Sequence, residues 1–596
     1  MITLPADQPH SSAAPPPRLS RTVEAAFLLS VCGVLFFLGV GRFDFIKTEG
    51  LRAIVVAEML EQPGISMPSV HHRAYLKKPP LYAWCTTLLA QAAGRFDEQI
   101  ARLPSALAGT ALILLLYGVA EGCIGRGAGV PTAALALANV TVIDYAVRAE
   151  LDMGFAFLTT ASILLAYPAL HRRAVVGVLC WMGCYLLATL AALWKGPHSL
   201  IFLWALLLAY GWRKRRWSWL WHPGQVCGLL VSLGVLIAWA LTLSTHAGTA
   251  SVGRTAGIEL VSRLVPLSLG DLLSILYAVP IMAVVVLPAS LFVAASFRSG
   301  VVYQADDAPN GRSLRAIVSF CTRRSRRWWT SLAADPFTEF LLFWIGANLV
   351  WTAIVPAKSP RYWLPMFGPV FLLAGCLLCR RLVGAAGQTG RRHLDLTWRG
   401  IYAVLGVIGL LALLAAAATL ISPGLTIAAT PLGPAWAWLA MAIGWMAIAI
   451  VEFSPRIAPS TIGRCLGLIV VVLAVKPVLS NIWWPARARS DSQRGSAALI
   501  DQQVPPGEPV FVLGGHELPD VAFYSARPFQ WLDEPADAAD FTTAPFAFYL
   551  LRDEDLEEQV AGRGFRYDCC LEFDRADKQV VLIRIDSIPK VSQKQL

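Results

Sequence analysis

Acids and cations lie beside Gly, Pro and aromatic residues in several short stretches of this chain that adjoin its apolar runs. The first begins Lys47-Thr-Glu-Gly-Leu-Arg52, includes Glu58-Met-Leu60, and continues at Tyr75-Leu-Lys-Lys-Pro-Pro-Leu81. The others are Arg148-Ala-Glu-Leu-Asp152, Trp194-Lys-Gly-Pro-His198 and Lys358-Ser-Pro-Arg-Tyr362. A cation beside Gly or Pro in a tight turn can face a phosphate with little competition from water. Asp152 sits at the edge of an apolar run, where an ionised carboxylate is expensive and reads first as functional. The chemistry such a set suits is capture of an anionic headgroup next to a carboxylate. Plainer readings stay open residue by residue. The loop cations can be surface charge, Asp152 a helix N-cap, and the Lys and Arg at helix ends snorkelling side chains.

The elements that must position these residues are membrane helices. The chain has 596 residues, 56% hydrophobic and 15% charged, against about 25% charged in a soluble domain. That composition excludes a soluble fold. The apolar residues gather in windows of about 18–25 residues, the length that crosses a bilayer core of about 30 Å. Lipid cannot satisfy an isolated backbone N–H or C=O, and the windows do not alternate, so they are helices. Thirteen are expected: Val23–Val40, Leu103–Ala120, Gly129–Val147, Leu151–Leu170, Ala174–Trp194, Pro197–Trp212, Val226–Ser244, Leu272–Phe297, Phe337–Val355, Tyr362–Cys379, Ile401–Ile421, Pro434–Val451 and Cys465–Trp483.

Basic residues collect in alternate loops, including Arg213–Arg216, the run around Arg323 and Arg327, and Arg391 with Arg392. By the positive-inside rule the N-terminus is then cytoplasmic and the C-terminus extracytoplasmic, as expected of a multi-pass protein of the inner (plasma) membrane. The loop 41–102 keeps Arg42, Lys47, Arg52, Arg73, Lys77, Lys78, Arg95 and Arg102 on the outer side. A long loop translocates despite its charge, and cations retained there suit an anionic ligand. The spacing of Ile54, Val55 and Met59, and the run after Pro79-Pro80, predict interfacial helices in this loop.

The chain therefore divides into a disordered cytoplasmic start (1–22), a transmembrane domain (23–485) and a soluble α/β domain (486–596). The last is expected from β-rich runs at Pro509–Leu513, Ala547–Leu551 and Val580–Ile585 and a helical stretch at Asp553–Val560. No nucleophile elbow, P-loop or dinucleotide fingerprint occurs in it. The twelve cysteines form no disulfide framework or zinc spacing.

At its charged stretches the chain resembles the lipid-carrier-dependent glycosyltransferases of the GT-C superfamily, in the group of the lipid A aminoarabinose transferase and the bacterial relatives of protein O-mannosyltransferases. Matching residues are Glu49, Glu58-Met-Leu60, Tyr75, Lys78-Pro-Pro-Leu81, Ala101-Arg-Leu-Pro-Ser105, Arg148 with Asp152, Lys195-Gly-Pro197 and Lys358 to Pro365. Thr48 stands where the family places an Asp, and Lys77 where it places an acid. The resemblance implies transfer of a sugar from a polyprenyl-phosphate donor to an extracytoplasmic lipid, glycan or protein, with inversion. It implies Glu49 as base with Asp152 as partner or alternative, and Arg52, Tyr75, Lys78, Arg148, Lys195, Lys358, Arg361 and Tyr362 around the substrates. Neither a cofactor, a catalytic metal nor a nucleic-acid partner is expected. A transporter or flippase for a lipid-linked sugar, and a scaffold displaying the C-terminal domain, are the competing classes; paired repeats and broken midplane helices would favour the transporter.

Overall fold

A computed structural model describes residues 20–62, 67–172, 174–248, 253, 269–297, 314–354, 359–382, 388–422, 426–427, 430–454, 460–513, 518–541, 544, 546–563, 565–575 and 578–586. Every apolar window falls on helix. Eight helices are long and apolar enough to cross a membrane, or up to ten if each of two bent pairs counts as one span. Three further windows form the helices Arg21–Cys32 (continued by a π turn, Gly33–Phe37), His198–Lys214 and Pro336–Ile354.

Two windows expected as single helices are broken. Gly129–Leu137 and Val140–Ala146 bend by 71°, and Tyr277–Val285 and Ala289–Ser296 by 119°. A break within the membrane leaves backbone groups that lipid cannot satisfy. Here the two breaks satisfy one another. The Asn139 side chain accepts from Val142 N at 3.0 Å, and its amide donates to the carbonyls of Val285 and Leu287, both at 2.8 Å.

The first long loop forms the helices Glu49–Glu61 and Leu81–Ala93, joined through a hairpin that pairs Ser69–Val70 with Arg73–Ala74. The second helix starts after Pro79-Pro80, since a proline ring suits a first turn, and stops at Gly94 in the left-handed conformation. Asp97 then caps the Glu98–Val119 helix by accepting from Ile100 N at 2.9 Å.

The C-terminal segment carries five strands: β1 (Val510–Val512), β2 (Phe529–Trp531), β3 (Ala547–Arg552), β4 (Asp568–Arg575) and β5 (Lys578–Ile585). They form one sheet in the order β2-β1-β3-β5-β4, parallel at β2-β1-β3 and antiparallel elsewhere. The short β2 and the polar β4 lie outside the three runs expected from the sequence.

The boundary drawn at residue 486 does not hold in space. Ile54, Val55, Val56, Met59, Val70 and Tyr75 of the first loop share one apolar core with Val510, Val512, Leu518, Val521, Phe529, Phe548 and Leu550. Trp531 N donates to the His71 carbonyl at 3.3 Å, and Arg73 pairs with Asp533 at 2.8 Å. Gly50 permits the close approach of Pro519–Tyr524, because a Cβ there would lie 1.5 Å from Asp520 Oδ1. The first loop and the C-terminal sheet are one packed body at one end of the bundle.

Candidate active site

Glu49 opens its helix and is fully buried. Its carboxylate accepts from Arg102 Nε and Nη2 at 3.0 and 2.9 Å, from Ile46 N at 2.7 Å and from Ala149 N at 2.5 Å. Burial works against the ionised form, but Arg102 and Arg148 with these hydrogen bonds outweigh it and hold the carboxyl below its ordinary range. A base needs an open lone pair and a proton affinity near the working pH. All four acceptor positions of Glu49 are taken by these donors, an arrangement that suits a structural role better than that of the base expected from the sequence. It ties the start of its helix to Arg102 and to the stretch around Ala149. Glu58 is likewise a buried acceptor, from Ser69 Oγ and the amides of His71 and His72, and it holds the hairpin.

The stretch Val147–Leu151 leads from one broken span into the Asp152–His171 helix and carries the charged centre. Asp152 Oδ1 accepts from Lys195 Nζ at 2.5 Å, both nearly buried. Lys195 is also 5.1 Å from the Tyr362 ring centroid and 5.4 Å from that of Phe155. Glu150 accepts from the Thr48 hydroxyl at 2.6 Å and lies 3.8 Å from Arg148 Nη2. Burial and then the Asp152 charge raise the Glu150 carboxyl above its ordinary range, against the pull of Arg52 and Arg148. Arg148 pairs in turn with Asp144 at 3.4 Å and lies 5.4 Å from the Tyr145 ring centroid.

The remaining expected residues gather around this centre. Arg52 donates to the Tyr75 hydroxyl at 2.8 Å, and both line a small recess with Lys78 and Tyr82. Arg361 lies 5.2 Å from the Tyr362 ring centroid, within electrostatic reach of Asp152 and Glu150. Lys358 lies outside the described residues. Arg52, Arg148 and Arg361 each have a buried Nε with no hydrogen-bond acceptor among the described residues. Three unmatched guanidinium donors around one centre suit an anion better than they suit a packed protein interior.

Beside the centre opens a cavity of about 1210 Å³. Its wall is apolar, with Val140, Leu291, Val404, Leu405, Ile408, Leu468, Val472 and Trp445, while Lys47, Asp144, Tyr145, Ser359 and Arg487 bring polar groups to it. Arg487 reaches Asp144 at 3.5 Å. Sequence reasoning passed over Asp144, although an acid inside an apolar window is a signal in itself. Arg487 carried no such signal, because it meets the cavity only through the fold.

The fold is a bundle of apolar helices capped by a loop-bearing body, with acids and cations beneath it, and it is similar to that of known membrane proteins. Residues 77–241 match the family described as dolichyl-phosphate-mannose-protein mannosyltransferase. Among solved structures the chain is similar to ArnT from Cupriavidus metallidurans bound to undecaprenyl phosphate, with a TM-score of 0.66 and 18% identity over 94% of this chain and 98% of that one. The apo form of that protein gives a TM-score of 0.66 at 17% identity, with the same coverage. Among proteins of curated function none matches by sequence.

Proposed function

We propose that this chain is a membrane glycosyltransferase that moves a sugar from a polyprenyl-phosphate donor to a hydroxyl of an extracytoplasmic lipid, glycan or protein. The observation that carries the reading is the apolar cavity of about 1210 Å³ whose polar residues adjoin the charged centre. A ligand that matches both parts is a long hydrocarbon ending in an anion. The prenyl chain lies along Val404, Leu405, Ile408 and Val472. Its phosphate meets Arg487, which lines the cavity and shares Asp144 with Arg148, and the unmatched Nε groups of Arg148, Arg52 and Arg361 supply further donors to it.

In this reading the cations stabilise the phosphate as it departs, a contribution that grows where water is excluded. A carboxylate takes the acceptor proton, the acceptor oxygen attacks the anomeric carbon, and the bond to phosphate breaks with inversion. Lys195 neutralises Asp152 and with it the Tyr362 ring supports the sugar side of the centre. The N-terminus is cytoplasmic, and the first loop and the C-terminal sheet stand on the outer side.

The test is a transfer assay on the purified full chain with polyprenyl-phosphate sugars of several kinds. The expected result is release of polyprenyl phosphate together with a glycosylated acceptor. Movement of intact donor across the bilayer with no release would replace this reading with that of a transporter or flippase.

A further inference from the structure

Each of the two carboxylates named from the sequence is held in a buried ion pair. Glu49 is covered by its four donors, and Asp152 is engaged by Lys195 at 2.5 Å. A third carboxylate lies in the same centre. Glu150 is only 3% exposed, and the one hydrogen bond its carboxylate accepts among the described residues is from Thr48, whose own residue is exposed. The pair therefore runs from solvent to a buried acid in a single 2.6 Å step.

Resting on the transferase reading above, we propose that Glu150 is the general base of the transfer and that Thr48 relays the proton to it. The acceptor hydroxyl gives its proton to Thr48 Oγ1 as Thr48 passes its own to the Glu150 carboxylate. The acceptor oxygen forms its bond to the anomeric carbon while the bond from that carbon to the phosphate oxygen breaks. The electron pair of that bond leaves with the phosphate, and Glu150 afterwards returns its proton to water.

The surroundings suit the task. Glu150 is faced by Asp152 at the start of its helix, Arg52 and Thr48 from the first loop, Tyr82 from the Leu81–Ala93 helix, Arg361 from the turn Pro360–Met366 and Arg148 from its own stretch. Burial and Asp152 dominate, so its proton affinity is higher than that of an ordinary Glu, which moves a carboxylate toward the range useful in a base. Arg52 and Arg148 pull the other way and favour its ionised form.

The experiment uses the full chain in nanodiscs with a polyprenyl-phosphate hexose as probe, following polyprenyl phosphate release and, separately, binding of undecaprenyl phosphate. Glu150→Gln should lower release by about 100-fold or more with binding preserved, the usual share of general-base catalysis. The acid limb of the wild-type pH profile, set above the ordinary Glu range, should vanish in that variant. Thr48→Val should fall comparably, Thr48→Ser should stay near wild type, and Thr48→Asp in the Glu150→Gln background should recover part of the loss. Near-normal release by Glu150→Gln or Thr48→Val would overturn the proposal while leaving the transferase reading intact. No release by the wild-type chain would overturn both. If Glu150→Gln does not fold, the Thr48 variants at their exposed position decide the matter.

Discussion

Glu49 and Arg102 meet through two parallel bonds of 2.9 and 3.0 Å, and neither side chain is exposed to solvent. Arg102 also donates to the carbonyls of Val40, Phe43 and Asp44, so this one ion pair ties the turn after the first helix to both the Glu49–Glu61 and Glu98–Val119 helices.

Breaking a buried pair from one side leaves an uncompensated charge, at about 3–5 kcal/mol. Glu49→Gln should therefore melt well below the wild type, as followed by intrinsic fluorescence in detergent. Its carboxyl is held below the ordinary Glu value, so the pair's stabilisation is complete above that value and is lost as pH falls through the lower, folded one. A melting profile recorded from neutral pH down past about 4.3 should show this loss in the wild type and a flatter curve in Glu49→Gln. Equal melting temperatures at neutral pH would show that the pair is not structural.

The helices were legible because their signal is local: a long apolar run has one solution in lipid. The breaks at Asn139 and Pro288 were less so, since a broken span is stable only when its loose carbonyls find partners, and Asn139 finds them some 146 residues away at Val285. The charged clusters were also legible as a group. Their division of labour was not, because Glu49, Glu150 and Asp152 look alike in sequence. They differ only in which cation or hydroxyl the fold lays against each.

Asp152 and Lys195 test whether a charge acts in structure or in chemistry. Lys195→Met should destabilise the chain by about 3–5 kcal/mol through the stranded carboxylate. The double variant Lys195→Met with Asp152→Leu should regain most of that thermal stability, since a well-packed apolar pair replaces a buried ion pair at little loss. Transfer should stay low in both. A double variant that regains activity along with stability would reduce the pair to a packing element.

Lys77 and Lys78 are adjacent and chemically identical, yet only Lys78 lines the recess that contains Arg52 and Tyr75. Lys77 is exposed. Lys78→Ala should weaken binding of undecaprenyl phosphate by about tenfold or more, the scale of one charge-assisted contact. Lys77→Ala should change it by less than about threefold, as expected of a solvated surface charge. Titration with a fluorescent lipid phosphate distinguishes the two, and equal small effects would remove Lys78 from the groups that hold the phosphate.

Ile408 lines the apolar cavity. Ile408→Trp adds bulk where the prenyl chain is placed, so donors with long chains should lose turnover while donors of one or two isoprene units keep it. Overpacking by such a change costs typically about 1–3 kcal/mol, which a membrane bundle of this size can absorb without unfolding. A uniform loss across all chain lengths would argue that the lipid lies elsewhere.

The core shared by Ile54, Val56 and Met59 with Val510, Phe529 and Leu550 sets an order of events during synthesis. The loop that carries Thr48 and Arg52 emerges early, and the strands that complete its core follow more than about 450 residues later, a delay on the order of tens of seconds at ordinary translation rates. Until then, within this core, the Glu49–Glu61 helix has only its own loop, with Val70, Tyr75 and Ala83, to pack against. A chain whose synthesis stops before the sheet is made lacks the larger part of the core on which this loop rests.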